Sequence, residues 1–324
     1  MRILITGGSG FVAPYMAEYV LSLKSKHKIF VVFRQQSNDG QFDRFPERLL
    51  RKINVVRCDL ENAASVQRMM LKVRPDKIFH LAAHSFVKSS FDDPEECLKN
   101  NILVTLNLLE AARELKEKPI FHFAGSSEEY GYVLPRECPI KETNELRPLS
   151  PYGVSKVACE KLLYQYWMSY KIPVVLTRTF NHEGAGRGRQ FFISNMCWQI
   201  IDAVKKGKSE FTIKVGNLNA IRDITHVEDV VRAYWYATES CKYGEVYNIG
   251  SGKSYRMKDI LDEILRQAPI KVKVKVDKNR LRPSDVEVLI CNYSKFRRRT
   301  GWKPKYTIKD VVRDNLEYWR TYES

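Results

Sequence analysis

Short apolar runs alternate with amphipathic stretches through the first 180 or so residues. The runs RILIT (2–6), KIFVVF (28–33), NVVRCDL (54–60), KIFHLAA (77–83) and PIFHFAG (119–125) each read as a buried strand bounded by turn residues. Between them the apolar positions recur with helical spacing: up to about Leu23, from about Ala63 to Val73, and from about Pro94 to Leu115. Another helix is predicted from Pro151, with Ser150 as its N-cap and the proline at the first helical position, where its missing N–H costs nothing. A sixth strand-like run, IPVVLTRTFNH, ends in a polar turn. This alternation of strand and helix predicts an α/β fold built on a doubly wound parallel sheet, with ligands at the carboxyl ends of its strands.

Beyond about Gly184 the pattern changes. Elements shorten, and Gly, Asn and basic residues are interspersed with them. VGNLNAIRDITHVEDVVRAYW reads as a loop holding Arg222, followed by a helix. GEVYNIGSG reads as a strand and turn, RMKDILDEIL as an amphipathic helix, and KVKVK (271–275) as a strand with one face in water. The expected division is a first domain over 1–183 and a smaller C-terminal α/β region over 184–324. Strands or helices are exchanged between the two, and the smaller region closes a substrate cleft.

Composition narrows the class. An apolar content of 44% supports a full core. Seven scattered cysteines with no C-x-x-C pair argue against a zinc site or a disulfide framework and suit a reducing cytoplasm. The opening residues read as a strand rather than an export signal, and no apolar run approaches membrane-spanning length. Lys and Arg outnumber Asp and Glu by 54 to 38, a net charge of +16. The basic residues fall in separate places (Lys24–Lys28, Lys205–Lys208, Lys271–Lys275, Arg297–Arg299), with no aromatic interleaving that would suit stacked bases. They are taken as solvated surface, and neither nucleic acid nor membrane is an expected partner.

Candidate chemistry lies at the strand ends. GGSGFVA follows the first strand and opens the first helix, with the spacing Gly7-x-x-Gly10-x-x-Ala13. This places Gly7, Gly10, Phe11 and Val12 where a dinucleotide pyrophosphate meets a helix N-terminus. Arg34, after the second strand, stands where an acidic residue would select NAD, and it favours the 2′-phosphate of NADP. Asp59 and Leu60 end the third strand at the adenine corner. Leu81, Ala82 and Ala83 end the fourth, small enough for close approach of a cofactor, while His80 reads as a packed core residue. Ser126 and Glu128 follow the fifth strand, and two residues apart on an extended strand end they point to one face. Tyr152 and Lys156 are four apart on a helix. An ammonium beside a phenol stabilises the phenolate, and the spacing predicts a tyrosine pKa below its usual value near ~10.

The set TGGSGFVA, HLAA, GSSEEYG, SPYGVSK and FNH resembles the extended short-chain dehydrogenase/reductase family. Within it the chain looks like the enzymes of GDP-linked deoxysugars: GDP-sugar 4,6-dehydratases of the GDP-mannose or GDP-N-acetylglucosamine type, and GDP-4-keto-6-deoxymannose reductases. RTFNHEGAGRG, VGNLNAIRD, LRPSDVEVLI and TGWKP extend the likeness along the chain. The resemblance implies a Rossmann-type fold and NADP as cofactor, with NAD as the alternative. It also implies Tyr152 as base for the C4 hydroxyl, Lys156 on the nicotinamide ribose, Ser126 on the same hydroxyl, and Glu128 as acid/base at C5 and C6. Ser85, Asn181, Val215, Arg222 and Arg282 are the implied substrate residues, the two arginines clamping a diphosphate. Ser126 replaces the Thr of many dehydratases and keeps the hydroxyl. Ser127 stands where the dTDP-glucose dehydratases have an Asp acid, which argues against that branch. The dehydratase is the leading expectation and the NADPH-dependent reductase the alternative. The implied assembly is a homodimer or homotetramer, paired through the helices near 94–115 and 151–170.

Overall fold

The computed structural model describes residues 1–34, 45–277 and 286–322. β1 (Arg2–Ile5), α1 (Val12–Ser22), β2 (Lys28–Phe33), α2 (Glu47–Leu50), β3 (Asn54–Arg57), α3 (Ala63–Val73) and β4 (Lys77–His80) come first. They are followed by α4 (Val87–Asp92), α5 (Pro94–Glu114), β5 (Ile120–Ser126), α6 (Pro151–Tyr170), β6 (Val174–Thr179) and β7 (Asn181–Glu183). The rest comprises α7 (Phe192–Lys205), β8 (Glu210–Val215), β9 (Ile221–Arg222), β10 (Ile224–His226), α8 (Val227–Ser240), β11 (Val246–Ile249), β12 (Tyr255–Arg256), α9 (Met257–Gln267), β13 (Lys271–Val276), β14 (Val288–Leu289), α10 (Ser294–Thr300) and α11 (Ile308–Thr321).

The main sheet has seven parallel strands in the order β11-β6-β5-β4-β1-β2-β3. Chain direction across the sheet reverses between β1 and β4, and a crevice opens there at the carboxyl ends. One face carries α3, α5 and α6 over a core that includes Leu4, Ile78, Leu108, Phe121 and Leu163. The other carries α1 and α8 over Ile3, Phe33, Phe79 and Tyr234. Both β11 and α8 come from beyond residue 184, so the later chain returns to complete the first sheet. A separate core around Ile200, Ile213, Ile264, Val312 and Trp319 joins α7, β8, α9 and α11.

Local signals account for many boundaries. Ser150 Oγ accepts from Gly153 N at 3.0 Å and Pro151 opens α6. Asp93 caps α5 by accepting from Glu96 N at 3.0 Å, with Pro94 next. The fourth strand is shorter than KIFHLAA suggests. It stops at His80 because Leu81 N and Ala82 N turn to Thr6 Oγ1 (3.1 and 3.0 Å) instead of continuing the ladder. KVKVK pairs with β8, but it is wetter than one solvated face. Only Val272 is half-buried, and Val274 and Val276 are exposed.

Candidate active site

Backbone geometry shapes the Gly-rich turn. Gly7 has φ +77°, and a Cβ there would lie 2.9 Å from Ala82 N, so conformation and space both exclude a side chain. α1 starts at Val12 with no side-chain cap and no acidic residue in its first turn. Its first N–H groups and the positive end of its dipole therefore face the cavity lined by Gly10, Phe11 and Val12, and this fits the pyrophosphate of a dinucleotide. Thr6 ties the turn to the fourth strand through its bonds to Leu81 and Ala82. It also pairs with His80 Nδ1 at 2.9 Å, and His80 Nε2 meets Thr105 Oγ1 at 3.0 Å. Burial pushes the His80 imidazole down to about 3, so it is a neutral packed side chain, in line with the sequence reading.

Ser126 closes β5 and caps a 3-10 turn over Ser127–Glu129. Its Oγ accepts from Glu128 N at 3.2 Å. The turn corrects one expectation: Glu128 is not on an extended strand end. Both side chains still line the same cavity, because the tight turn brings Glu128 back beside Ser126. α6 delivers Tyr152 to this turn by close approach. A Cβ on Gly153 would lie 2.6 Å from Glu128 O, so only glycine lets the helix start sit there. Tyr152 N donates to Ser90 Oγ (3.3 Å), and Ser155 Oγ donates to Tyr152 O (2.7 Å) while accepting from Asn101 Nδ2 (2.8 Å). Tyr152 and Ser126 line the same cavity. Lys156 Nζ donates to Ala124 O at 2.8 Å and lies 5.9 Å from the Tyr152 ring centroid.

The expected fall in the Tyr152 pKa is corrected here. Burial raises it above the ordinary phenol value, and the charges of Glu128 and Glu129 add to the rise, against the lowering effect of the Ser126 hydroxyl. Burial also lowers Lys156. With the ammonium turned to a carbonyl, desolvation outweighs its pull on the phenol, and Tyr152 is a neutral phenol at neutral pH in this state.

One cavity of about 450 Å³ collects most of the predicted residues. Gly7, Gly10, Phe11, Val12 and Arg34 line it from the first two strand ends. Asp59, Leu60, Leu81, Ala82, Ala83 and Ser85 line it from the third and fourth, and Ser126, Glu128, Tyr152, Lys156 and Asn181 from the fifth and sixth. Among the described residues, two substrate candidates do not line it. Val215 is 1% exposed and packs into the second core, outside the cavity lining. Arg222 is not in a loop. It pairs with Tyr255 and Leu289 in a three-stranded ladder, and its Nη1 donates to Ile221 O at 2.9 Å. Arg282 lies outside the described residues.

The cavity also holds side chains that sequence reasoning missed. The His182 ring stacks on Phe11 (centroids 6.2 Å, 13°), and burial pushes it down to about 3. The Arg187 guanidinium lies 3.5 Å from the Phe191 ring centroid and 5.0 Å from that of Phe11. Tyr234 lines the cavity and bonds Thr179 Oγ1 at 2.9 Å. His182 and Arg187 fall within FNHEGAGRG, where Asn181 alone was named as a site residue and His182 counted only as part of the FNH motif, and Tyr234 is one apolar position in a helix whose partner strand could not be read locally.

The sheet order, the Gly-rich turn and the Ser–Tyr–Lys grouping define an enzyme fold of the extended short-chain dehydrogenase/reductase class. The family profile described as GDP-mannose 4,6 dehydratase matches residues 4–315, and the chain belongs to that family. GDP-6-deoxy-D-mannose reductase of Pseudomonas aeruginosa is 29% identical over 320 residues, covering 99% of this chain and 97% of that protein. GDP-mannose 4,6 dehydratase 2 of Caenorhabditis elegans is 29% identical over 338 residues, covering 96% and 87%. A solved structure of RMD from Pseudomonas aeruginosa complexed with NADPH superposes with a TM-score of 0.84 at 27% identity, covering 99% of both chains.

Proposed function

We propose that the protein is an NADP-dependent GDP-sugar 4,6-dehydratase acting on GDP-mannose or GDP-N-acetylglucosamine. The observation that carries this reading is Glu128 beside Ser126 and Tyr152 in one cavity. A carboxylate there serves a step that reduction at C4 does not need. Ser126 and Tyr152 hold the C4 hydroxyl, and Tyr152 takes its proton. Lys156 would hold the nicotinamide ribose and stabilise negative charge on the phenol. Once C4 is a ketone the hydrogen on C5 is acidic. Glu128 removes that proton and, now an acid, protonates the departing hydroxyl at C6, which leaves as water. NADP, held by the Gly-rich turn and Arg34, would supply a hydride acceptor and donor between C4 and C6 with no net change, and C5 regains a proton equivalent to the one Tyr152 took from the C4 hydroxyl. Supplying each GDP sugar with catalytic NADP and watching for a product lighter by one water tests this reading. No dehydration of any GDP hexose removes it.

Arg34 selects the cofactor in this account. It is exposed on the cavity wall directly after β2, and a guanidinium matches a 2′-phosphate. Arg34→Ala is expected to weaken NADP binding by about 10-fold or more, the worth of one charge-assisted bond (about 1.5–3 kcal/mol), and to leave NAD unchanged. Titration of both cofactors checks it, and an unaltered preference refutes it.

One observation favours the alternative, an NADPH-dependent reductase of a GDP-4-keto-6-deoxy sugar. A reductase relative matches along nearly its whole length, and Ser126, Tyr152 and Lys156 would suffice for that reaction. Val154, Tyr164 and Met168 are exposed on α6, which packs along α5. This apolar face supports pairing of two copies through these helices.

A further inference from the structure

A second carboxyl is buried under the Ser126–Glu128 turn. Glu129 is fully buried, and its Oε1 accepts from Ser126 N at 2.7 Å. Its Oε2 is buried with no donor in hydrogen-bonding geometry and lies 3.5 Å from Arg178 Nε. That guanidinium is already committed. Nε and Nη2 donate to the two oxygens of Glu160 at 2.7 and 2.8 Å, and Nη1 donates to Tyr130 Oη at 3.0 Å and Glu142 O at 3.2 Å. Two carboxyls therefore share one guanidinium out of solvent. Two other cations lie near: Lys156 donates to Ala124 O, and the exposed Lys161 donates to Glu160 Oε1 at 3.0 Å, on the carboxylate that Arg178 already holds.

We propose that Glu129 is a positioning residue that works in its neutral form, fixing the backbone of Ser126 with Oε1 and donating the proton on Oε2 to Glu160. A second ionised carboxylate here would be a buried charge with no guanidinium edge of its own. A proton on Oε2 gives that oxygen a partner and leaves Glu160 as the one anion on Arg178. Burial and the Glu160 charge hold Glu129 well above the ordinary carboxylate range, while Glu160 is held low by its bonds from Arg178 against the cost of its own burial. Neutrality also suits the chemistry. An anion at Glu129 would oppose a phenolate at Tyr152 and compete for the charge of Lys156. The site is built for this carboxyl: a Cβ on Gly125 would lie 2.5 Å from Glu129 Oε1. The groups around Glu129 are Tyr130 on its own turn, Tyr152, Lys156 and Glu160 from α6, and Arg178 from β6, with Lys161 of α6 bonded to the far side of the pair through Glu160.

The catalytic half of the inference rests on the dehydratase reading, whereas the protonation half does not, and the two are tested separately. Glu129→Gln is the neutral isostere. A carboxyl whose folded pKa is raised contributes stability below its unfolded value near ~4.3 and loses it as pH rises towards the folded value. Wild type should therefore lose thermal stability relative to Glu129→Gln as pH rises from about 4.5 to 8. An ionised Glu129 paired with Arg178 gives the opposite trend, and either that trend or a constant difference overturns the proposal. In turnover, Glu129→Gln should keep kcat within a few-fold of wild type. Glu129→Met should lower kcat roughly 10–100-fold, with KM and NADP affinity unchanged, because only the placement of Ser126 is lost. A Glu129→Gln variant as slow as Glu129→Met contradicts the positioning role. If wild type dehydrates no GDP sugar the functional reading fails, while the unfolding comparison still decides the proton. That comparison stands also if Glu129→Met does not fold.

Discussion

Tyr152→Phe is expected to reduce GDP-sugar turnover by about 10⁴-fold, the upper end of what one general acid–base group contributes, while NADP still binds. The effect is this large because every later step waits on the ketone at C4. Tyr152 shares the cavity with Ser126 and Glu128, and Lys156 Nζ lies 5.9 Å from its ring. Because burial holds the phenol neutral in this state, activity should rise with pH towards the alkaline side, as the phenolate becomes available. Bound oxidised nicotinamide, being positively charged, should move that rise to lower pH than in the free protein. Steady-state rates against pH, with NADP affinity measured on the same samples, check this. A Phe variant within tenfold of wild type would place the base elsewhere.

Glu128→Gln keeps the shape of the side chain and removes the base. The expected loss is about 10²–10⁴-fold in dehydration, with NADP binding and the fold intact. The loss should fall on the steps at C5 and C6 alone. Exchange of the C5 hydrogen with solvent deuterium should stop in the variant, while oxidation at C4 persists in a single turnover. Wild-type dehydration rates in Glu128→Gln would sink the assignment and return Glu128 to the role of a turn residue.

Features fixed by neighbours in the chain were legible from the sequence. Ser150 and Pro151 start a helix wherever that helix packs, and Gly7 announces a turn before its partner Ala82 is known. The strand alternation gave the sheet, because parallel strands buried on both faces read as continuous apolar runs. Contacts that join distant segments were not legible. Arg222 reads as a loop residue until Tyr255 and Leu289 are seen beside it, and Val215 reads as a candidate until its core is assembled. The Tyr152–Lys156 spacing implied a depressed pKa, since spacing reports the neighbour and not the burial, and burial won. The Arg178–Glu160–Glu129 group spans three elements, and nothing in GSSEEYG distinguishes the buried second glutamate from the one that lines the cavity.

The most direct measurement uses GDP-mannose and GDP-N-acetylglucosamine carrying deuterium at C4, incubated with the protein and catalytic NADP and followed by mass spectrometry. The account predicts a product lighter by one water that retains the deuterium, now at C6, with no net change in NADP. Intact GDP sugars, together with stoichiometric consumption of NADPH on a 4-keto sugar, would contradict it and make the reductase the function.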